Sequence, residues 1–326
     1  MDGFRIPIGD VIATAVDWIR DNLSGVLDLI AFVVRWLVEG LTDVFVLTPI
    51  PVIIVLAALI GWLVRSWQLA LGTAVSFVLI VGMDQWVTSM QTLALVLVAA
   101  LVAVGISIPL GIWSARNDTV RAILKPVLDF MQTMPAFVYL IPAITFFSIG
   151  VVPGLVSTVI FALPPGVRLT ELGIRGVDSE TVEAGYAFGA TPRQILRGIQ
   201  LPLAMPTIMA GVNQIIMLAL SMAVVAGIVG ADGLGKEVVG AISTVDLAKG
   251  FEAGLSVVIL AVYLDRVTAA LGTPGDYPSS LLGILSRRRR ERRAGGSGTD
   301  AGGTPDAMTQ AERAVASPRR APVTTA

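Results

Sequence analysis

Residues 183–202 read EAGYAFGATPRQILRGIQLP, a helix-forming, mostly polar stretch inside a chain otherwise rich in apolar residues. Asp178 or Ser179 can cap a helix running through Val182 to Phe188. Gly189 is placed to end it, because glycine enters the left-handed region without strain. Thr191-Pro192-Arg193-Gln194 has the form of a capping box with proline at the first helical position, so a second short helix is expected through Ile199. Leu201-Pro202 is expected to stop that helix. The stretch therefore reads as two short helices joined by a bend, with Arg193 and Arg197 on one face and Ile195, Leu196 and Ile199 near another. A helical knob with apolar anchors inside a polar rim is a docking element.

What the knob projects from follows from composition. The chain has 326 residues, of which 55% are hydrophobic and 14% charged, more apolar than a soluble domain. An integral membrane protein is expected. The absence of cysteine and histidine removes disulfide frameworks, Cys/His zinc sites and imidazole-dependent triads. A hydrolase or redox role is therefore not expected, and no metal or cofactor is called for.

The opening MDGFRIPIGD carries two acids and one arginine. No short apolar h-region with a small-residue cleavage site follows, so insertion is expected through internal spans. Within the N-terminal segment 1–49, charged residues at 17, 21, 28, 35, 39 and 43 fall on one stripe of a helix. This predicts an amphipathic helix lying in the interface or against other spans. A span needs about 20 mostly apolar residues. Seven are expected in an all-α, polytopic domain over 50–272: 51–64, 69–83, 91–113, 128–149, 152–167, 206–230 and 252–272. Pro135 and Pro142 interrupt the fourth, and Pro164-Pro165 are expected to close the fifth.

Arg65, Arg116, Arg121, Lys125, Arg168, Arg175, Arg193 and Arg197 fall in loops on one side, against Arg5, Arg20, Arg35, Lys236 and Lys249 on the other. The bias places the first set, with the loop 168–205, in the cytoplasm, the C-terminus inside and the N-terminus outside. The run RRRRERR at 287–293 supports that orientation. After residue 293 the 273–326 tail is Gly, Ala, Ser, Thr and Pro rich, and a disordered cytoplasmic tail is expected.

The knob resembles the EAA motif of ABC-importer permeases, EAA-x3-G-x9-I-x-LP: Glu183-Ala184-Gly185, Gly189, Ile199 and Leu201-Pro202 fall at its spacings. Gly185 departs from it, standing where alanine is usual. DFMQTMPAFVYLIPA (129–143), IFALPPGVRLTELGI (160–174), QLPLAMPTIMAGVNQIIMLALSM (200–222), VGADGLGK (229–236) and ILAVYLDRVTAALG (259–272) extend the resemblance to glycine betaine/L-proline permeases of the ProW type. The resemblance implies a type I ABC importer (MetI-like) transmembrane fold in a prokaryotic plasma membrane. It also implies a second permease copy, two ABC ATPase subunits that hydrolyse the ATP, and an external solute-binding protein, with no nucleic acid. The motif residues would then couple to the ATPase, supported by Thr191, Arg193 and Arg197. Choline, carnitine or ectoine are alternative solutes, and a secondary transporter or channel is a more distant reading.

GADGLGKE at 230–237 fits GxxxxGK, but Glu237 stands where a P-loop needs a magnesium-binding hydroxyl. Nucleotide binding is not expected there; the glycines instead shape a loop. Candidate pathway residues are Gln132, one turn beyond Asp129, then Pro135, Phe137, Tyr139, Asn213 and Gln214. Helix–helix hydrogen bonding is the competing role for Asn213 and Gln214, and packing for Phe137 and Tyr139, whose rings could otherwise attract a quaternary ammonium. Met217 and Met222 read as packing, and Asp265 with Arg266 as a structural pair.

Overall fold

Small residues set the centre of the molecule. In a computed structural model that describes residues 8–272, helix α8 (Val151–Arg175) lies between α5 (Trp86–Arg116) and α11 (Leu201–Ala226). A Cβ on Gly166 of α8 would stand 2.5 Å from both Ser107 Oγ of α5 and Ile215 Cδ1 of α11. Apolar surfaces gain nothing by leaving lipid, so spans are held by close van der Waals packing, which small residues permit. The core continues through Met90, Leu95, Leu155, Ile215 and Leu260, the last on α13 (Leu247–Gly272).

Among the described residues the chain is helical with no strand. Four helical segments are long and apolar enough to cross a membrane: α5, α8, the continuous run 192–229 and α13. They contain the expected spans at 91–113, 152–167 and 252–272, and the span at 206–230 up to residue 229. The expected span 128–149 is not one helix. It is divided between α6 (Asp118–Thr133) and α7 (Leu140–Phe147), and the break bends the path by 109°. A second bend, of 107°, joins α2 (Ser24–Leu47) to α3 (Ile50–Val64). Both bends occur at an X-Pro step: Met134 before Pro135 and Thr48 before Pro49 are extended, with ψ of 132° and 134°, as a following proline ring requires. The expected 51–64 and 69–83 spans are α3 and α4 (Trp67–Gly82), 15 and 16 residues long and packed on each other. The expected seven spans thus become four unbroken ones, two bent pairs and the shorter α4.

One other expectation changes. Pro164-Pro165 do not close α8, which runs on to Arg175. The two prolines leave the Ile160 and Phe161 carbonyls without their usual intrahelical donors, but burial between α5 and α11 holds the helix. The N-terminal amphipathic stripe falls on α1 (Ile8–Asn22) and α2, and α2 lies against α5 and buries Val34 and Val38 in the main core. The tail 273–326, with its Arg run, lies outside the described residues.

Candidate functional site

The polar stretch is built from local hydrogen bonds. Asp178 caps α9 (Ser179–Ala187) by accepting from the Glu180 N–H at 3.2 Å. At the other end Gly189 adopts φ +81°. Its N–H donates to the Tyr186 carbonyl at 2.9 Å, and the Ala190 N–H donates to the Gly185 carbonyl at 3.1 Å. This bond pair is a Schellman closure, which needs a left-handed residue at the position Gly189 fills. The capping box forms as expected: Gln194 N–H donates to Thr191 Oγ1 at 3.4 Å, and Thr191 N–H to Gln194 Oε1 at 2.8 Å.

The expected stop at Leu201-Pro202 is absent. α10 (Pro192–Ile195) passes through a π turn over Leu196–Gln200 directly into α11. There Leu201 N–H donates to the Leu196 carbonyl five residues back. Widening the helix immediately before Pro202 accommodates its ring and missing donor. The knob is therefore rigidly continuous with a span.

Burial reassigns the apolar anchors. Ile195 and Leu196 are buried; Leu196 packs with Ile174, Ala204 and Ile208 in a small core rooted on α8 and α11. The departing residue Gly185 faces inward as well: a Cβ there would stand 2.5 Å from Ile195 Cδ1 and 2.7 Å from Ile199 Cδ1. Glu183, Ala184, Arg193, Arg197 and Pro202 are exposed, while Ile199 and Leu201 are half-buried. The apolar groups that face out are Tyr186, 49% exposed, and Phe188, 93% exposed. Neither occupies a fixed motif position. The signal for them was an aromatic pair in a polar run, ending where α9 stops.

Beside the root of this loop, an ion-pair cluster ties three helix ends together. Glu171, on the last turns of α8, accepts from Ser114 Oγ and Arg121 Nε, each at 2.7 Å. Arg175 donates to the Ser114 carbonyl at 3.0 Å and to Asp118 at 2.7 Å. Asp129 pairs with Arg168, so α6 is held to α8 along its length.

The candidate pathway residues do not converge. Gln132, Pro135, Phe137 and Gln214 are exposed. Tyr139 is buried, its hydroxyl donating to the Met131 carbonyl and its ring edge-on to Phe161. Asn213 donates to Asp265 at 2.9 Å and accepts from Thr268, joining α11 to α13. Asp265 thus has a partner besides Arg266, which stands 3.9 Å away. Met222 is buried and Met217 partly exposed.

At the opposite end of the bundle, GADGLGK follows helix α11 and a 3-10 turn, where a phosphate loop follows a strand. Leu234 N–H donates to Thr92 Oγ1 at 2.8 Å in a buried contact, and a Cβ on Gly235 would stand 2.6 Å from the Val224 carbonyl. Lys236 is held by Asp232, whose hydrogen bond and charge raise its ammonium above the usual lysine range. Gly230 and Gly233 turn the segment, with φ of +82° and +126°, and Gly235 lets its backbone press on α11.

A bundle of apolar spans carrying a water-facing helical knob at one end defines a multi-pass membrane protein of the MetI-like permease class. The chain belongs to the family of binding-protein-dependent transport system inner membrane components, which matches residues 107–272. It is 47% identical over 264 residues to the glycine betaine transport system permease protein OpuAB of Bacillus subtilis, covering 81% of this chain and 94% of that one. To the glycine betaine/proline betaine transport system permease protein ProW of Escherichia coli it is 43% identical, covering 86% of this chain and 82% of that one. With the glycine betaine/carnitine transport permease protein GbuB of Listeria monocytogenes, identity is 48% over 81% of this chain and 95% of that one. An inward-facing structure of the MetNI methionine ABC transporter matches with a TM-score of 0.52 at 22% identity, over 56% of this chain and 91% of that one, a likeness of fold. The chain is thus a transport component of the permease kind. Family membership implies an ATPase and a substrate-binding protein as partners.

Proposed function

We propose that this chain is the permease subunit of an ATP-driven importer of glycine betaine and proline-type compatible solutes. The names and high identity of its relatives support the solute class. The observation that carries the mechanism is the unbroken helical run from the exposed knob into α11, with Leu196 packed on Ile174 of α8. In this reading two permeases pair, each receiving one ATPase subunit on residues 183–202, and the external binding protein docks at the opposite end. The knob end is cytoplasmic, as the arginine distribution favours, the N-terminus is outside, and 273–326 is a cytoplasmic tail on a permease domain that begins by residue 50.

Closure of the ATPases would push on Tyr186 and Phe188. The Schellman closure, the capping box and the π-turn junction make the knob stiff, so displacement passes into α8 and α11 as rigid-body tilt. Glu171 carries it on to α5 and α6. Gln132, Phe137 and Gln214 are the pathway candidates whose exposure suits contact with a passing solute; Tyr139 and Asn213 act as supports.

Uptake of labelled glycine betaine by vesicles containing permease, ATPase and binding protein tests the reading. ATP-dependent uptake, competed by proline betaine, is the expected result; uptake persisting without the ATPase would overturn it. A carnitine-transporting variant is favoured by the name of the Listeria relative, and carnitine competition in the same assay separates the two.

A further inference from the structure

The ion-pair cluster borders a cavity of about 300 Å³ between α6 and α8, lined by Arg121, Lys125, Arg168, Glu171 and Arg175 with Leu128 and Leu172. Four cations face one carboxylate across it, and that carboxylate already accepts from Ser114 and Arg121. Arg168 and Arg175 are partly offset by Asp129 and Asp118. Lys125 has no carboxylate within ion-pair distance among the described residues. Arg121 engages Glu171 through Nε and Arg168 engages Asp129 through one terminal nitrogen. A guanidinium carries five N–H groups, so both keep donors for an oxyanion.

Position selects the ligand class. Counting about 20 residues of hydrocarbon depth from the start of α8 at Val151 reaches roughly residue 170, so Arg168, Glu171 and Arg175 stand at headgroup level. Leu172, 61% exposed, gives the cavity an apolar wall. We infer that this cavity binds a phosphate oxyanion, supplied by the headgroup of an anionic phospholipid in the leaflet on the knob side. Basic pockets between spans at that level are suited to such headgroups. The leaflet assignment rests on the orientation proposed above; the site itself does not. Through Glu171 and Arg175, a bound headgroup would bear on the helix ends from which the knob hangs.

The test is native mass spectrometry of the full-length permease purified in mild detergent with phosphatidylglycerol or phosphatidylcholine added. Retention of phosphatidylglycerol over phosphatidylcholine is expected, weakened about fivefold by Lys125→Gln and about 30-fold by Lys125→Glu. Lys236→Gln, at the other end of the bundle, should change nothing. Inorganic phosphate, followed by equilibrium dialysis, is the second probe. Phosphate binding that Lys125→Glu abolishes, with no preference for phosphatidylglycerol, keeps the site but assigns it to free phosphate. Equal retention by wild type and Lys125→Glu, or no binding of either probe, overturns the inference. The readout needs no transport, so an inactive importer and an empty site are told apart.

Discussion

Two glycine-bearing segments interrupt the spans at opposite ends of the bundle, and they solve opposite problems. In 178–202 the chain must leave the bundle, turn in water and return. Gly189 supplies the φ of +81° at the turn, and Phe188 beside it is 93% exposed. In 229–236 the chain must press onto other spans: Leu234 is fully buried and Gly235 lies against the α11 backbone. Gly189 serves rotation at one end and Gly235 close approach at the other, where Gly230 and Gly233 also turn the chain with φ of +82° and +126°. A glycine pattern thus acquires meaning from the helix and contacts around it, which is why GxxxxGK misleads here.

Substitutions that fill the packed end should have the largest effect. Gly235→Val forces a branched side chain against the Val224 carbonyl and should cost about 3 kcal/mol, the upper range for overpacking; the yield and thermal midpoint of detergent-purified protein would show it. At the projecting end Phe188→Asp should leave those quantities unchanged while lowering ATP-driven uptake about 30-fold, the effect of losing an interface anchor of ~2 kcal/mol. Glu183→Lys should act in the same direction and be accompanied by ATP hydrolysis that no longer follows solute. Gly189→Val strains only the bend, by about 1–2 kcal/mol, and should reduce uptake without reducing membrane-inserted protein, as immunoblotting of membranes would reveal. The smallest effect is expected from Gly185→Ala. The added methyl meets the flexible ends of Ile195 and Ile199, and better helix propensity, worth up to ~1 kcal/mol, offsets their displacement. A loss of uptake as deep as that of Phe188→Asp would show that Gly185 touches the partner after all.

Features written in short-range chemistry were legible in the sequence. The Asp178 cap, the end of α9 at Gly189 and the Thr191–Gln194 box depend on residues at most five apart, and all form as expected. Features set by neighbours were not. Ile195 and Leu196 resemble docking anchors until α8 and α11 are placed behind them, and Phe188 stands out only because α9 ends with nothing packed over its ring. Leu201-Pro202 and Pro164-Pro165 look like helix stops; a π turn absorbs one and packing between two spans the other. Span counting was weakest where length was marginal and proline frequent, at 51–64 and 128–149, where the chain bends. The core spans 91–113 and 206–230 were clear because their apolar runs are long.

If the knob, led by Phe188, is the surface the ATPase pushes, a reactive group placed there should reach that subunit. The chain contains no cysteine, so a single thiol can be placed there by Phe188→Cys, carry a short photo-crosslinker, and be compared with Ile242→Cys at the opposite end of the bundle. Illumination of the assembled transporter should join the ATPase subunit to the Phe188→Cys permease and not to the Ile242→Cys permease. Equal yields from both positions, or ATPase captured only through Ile242→Cys, would contradict it.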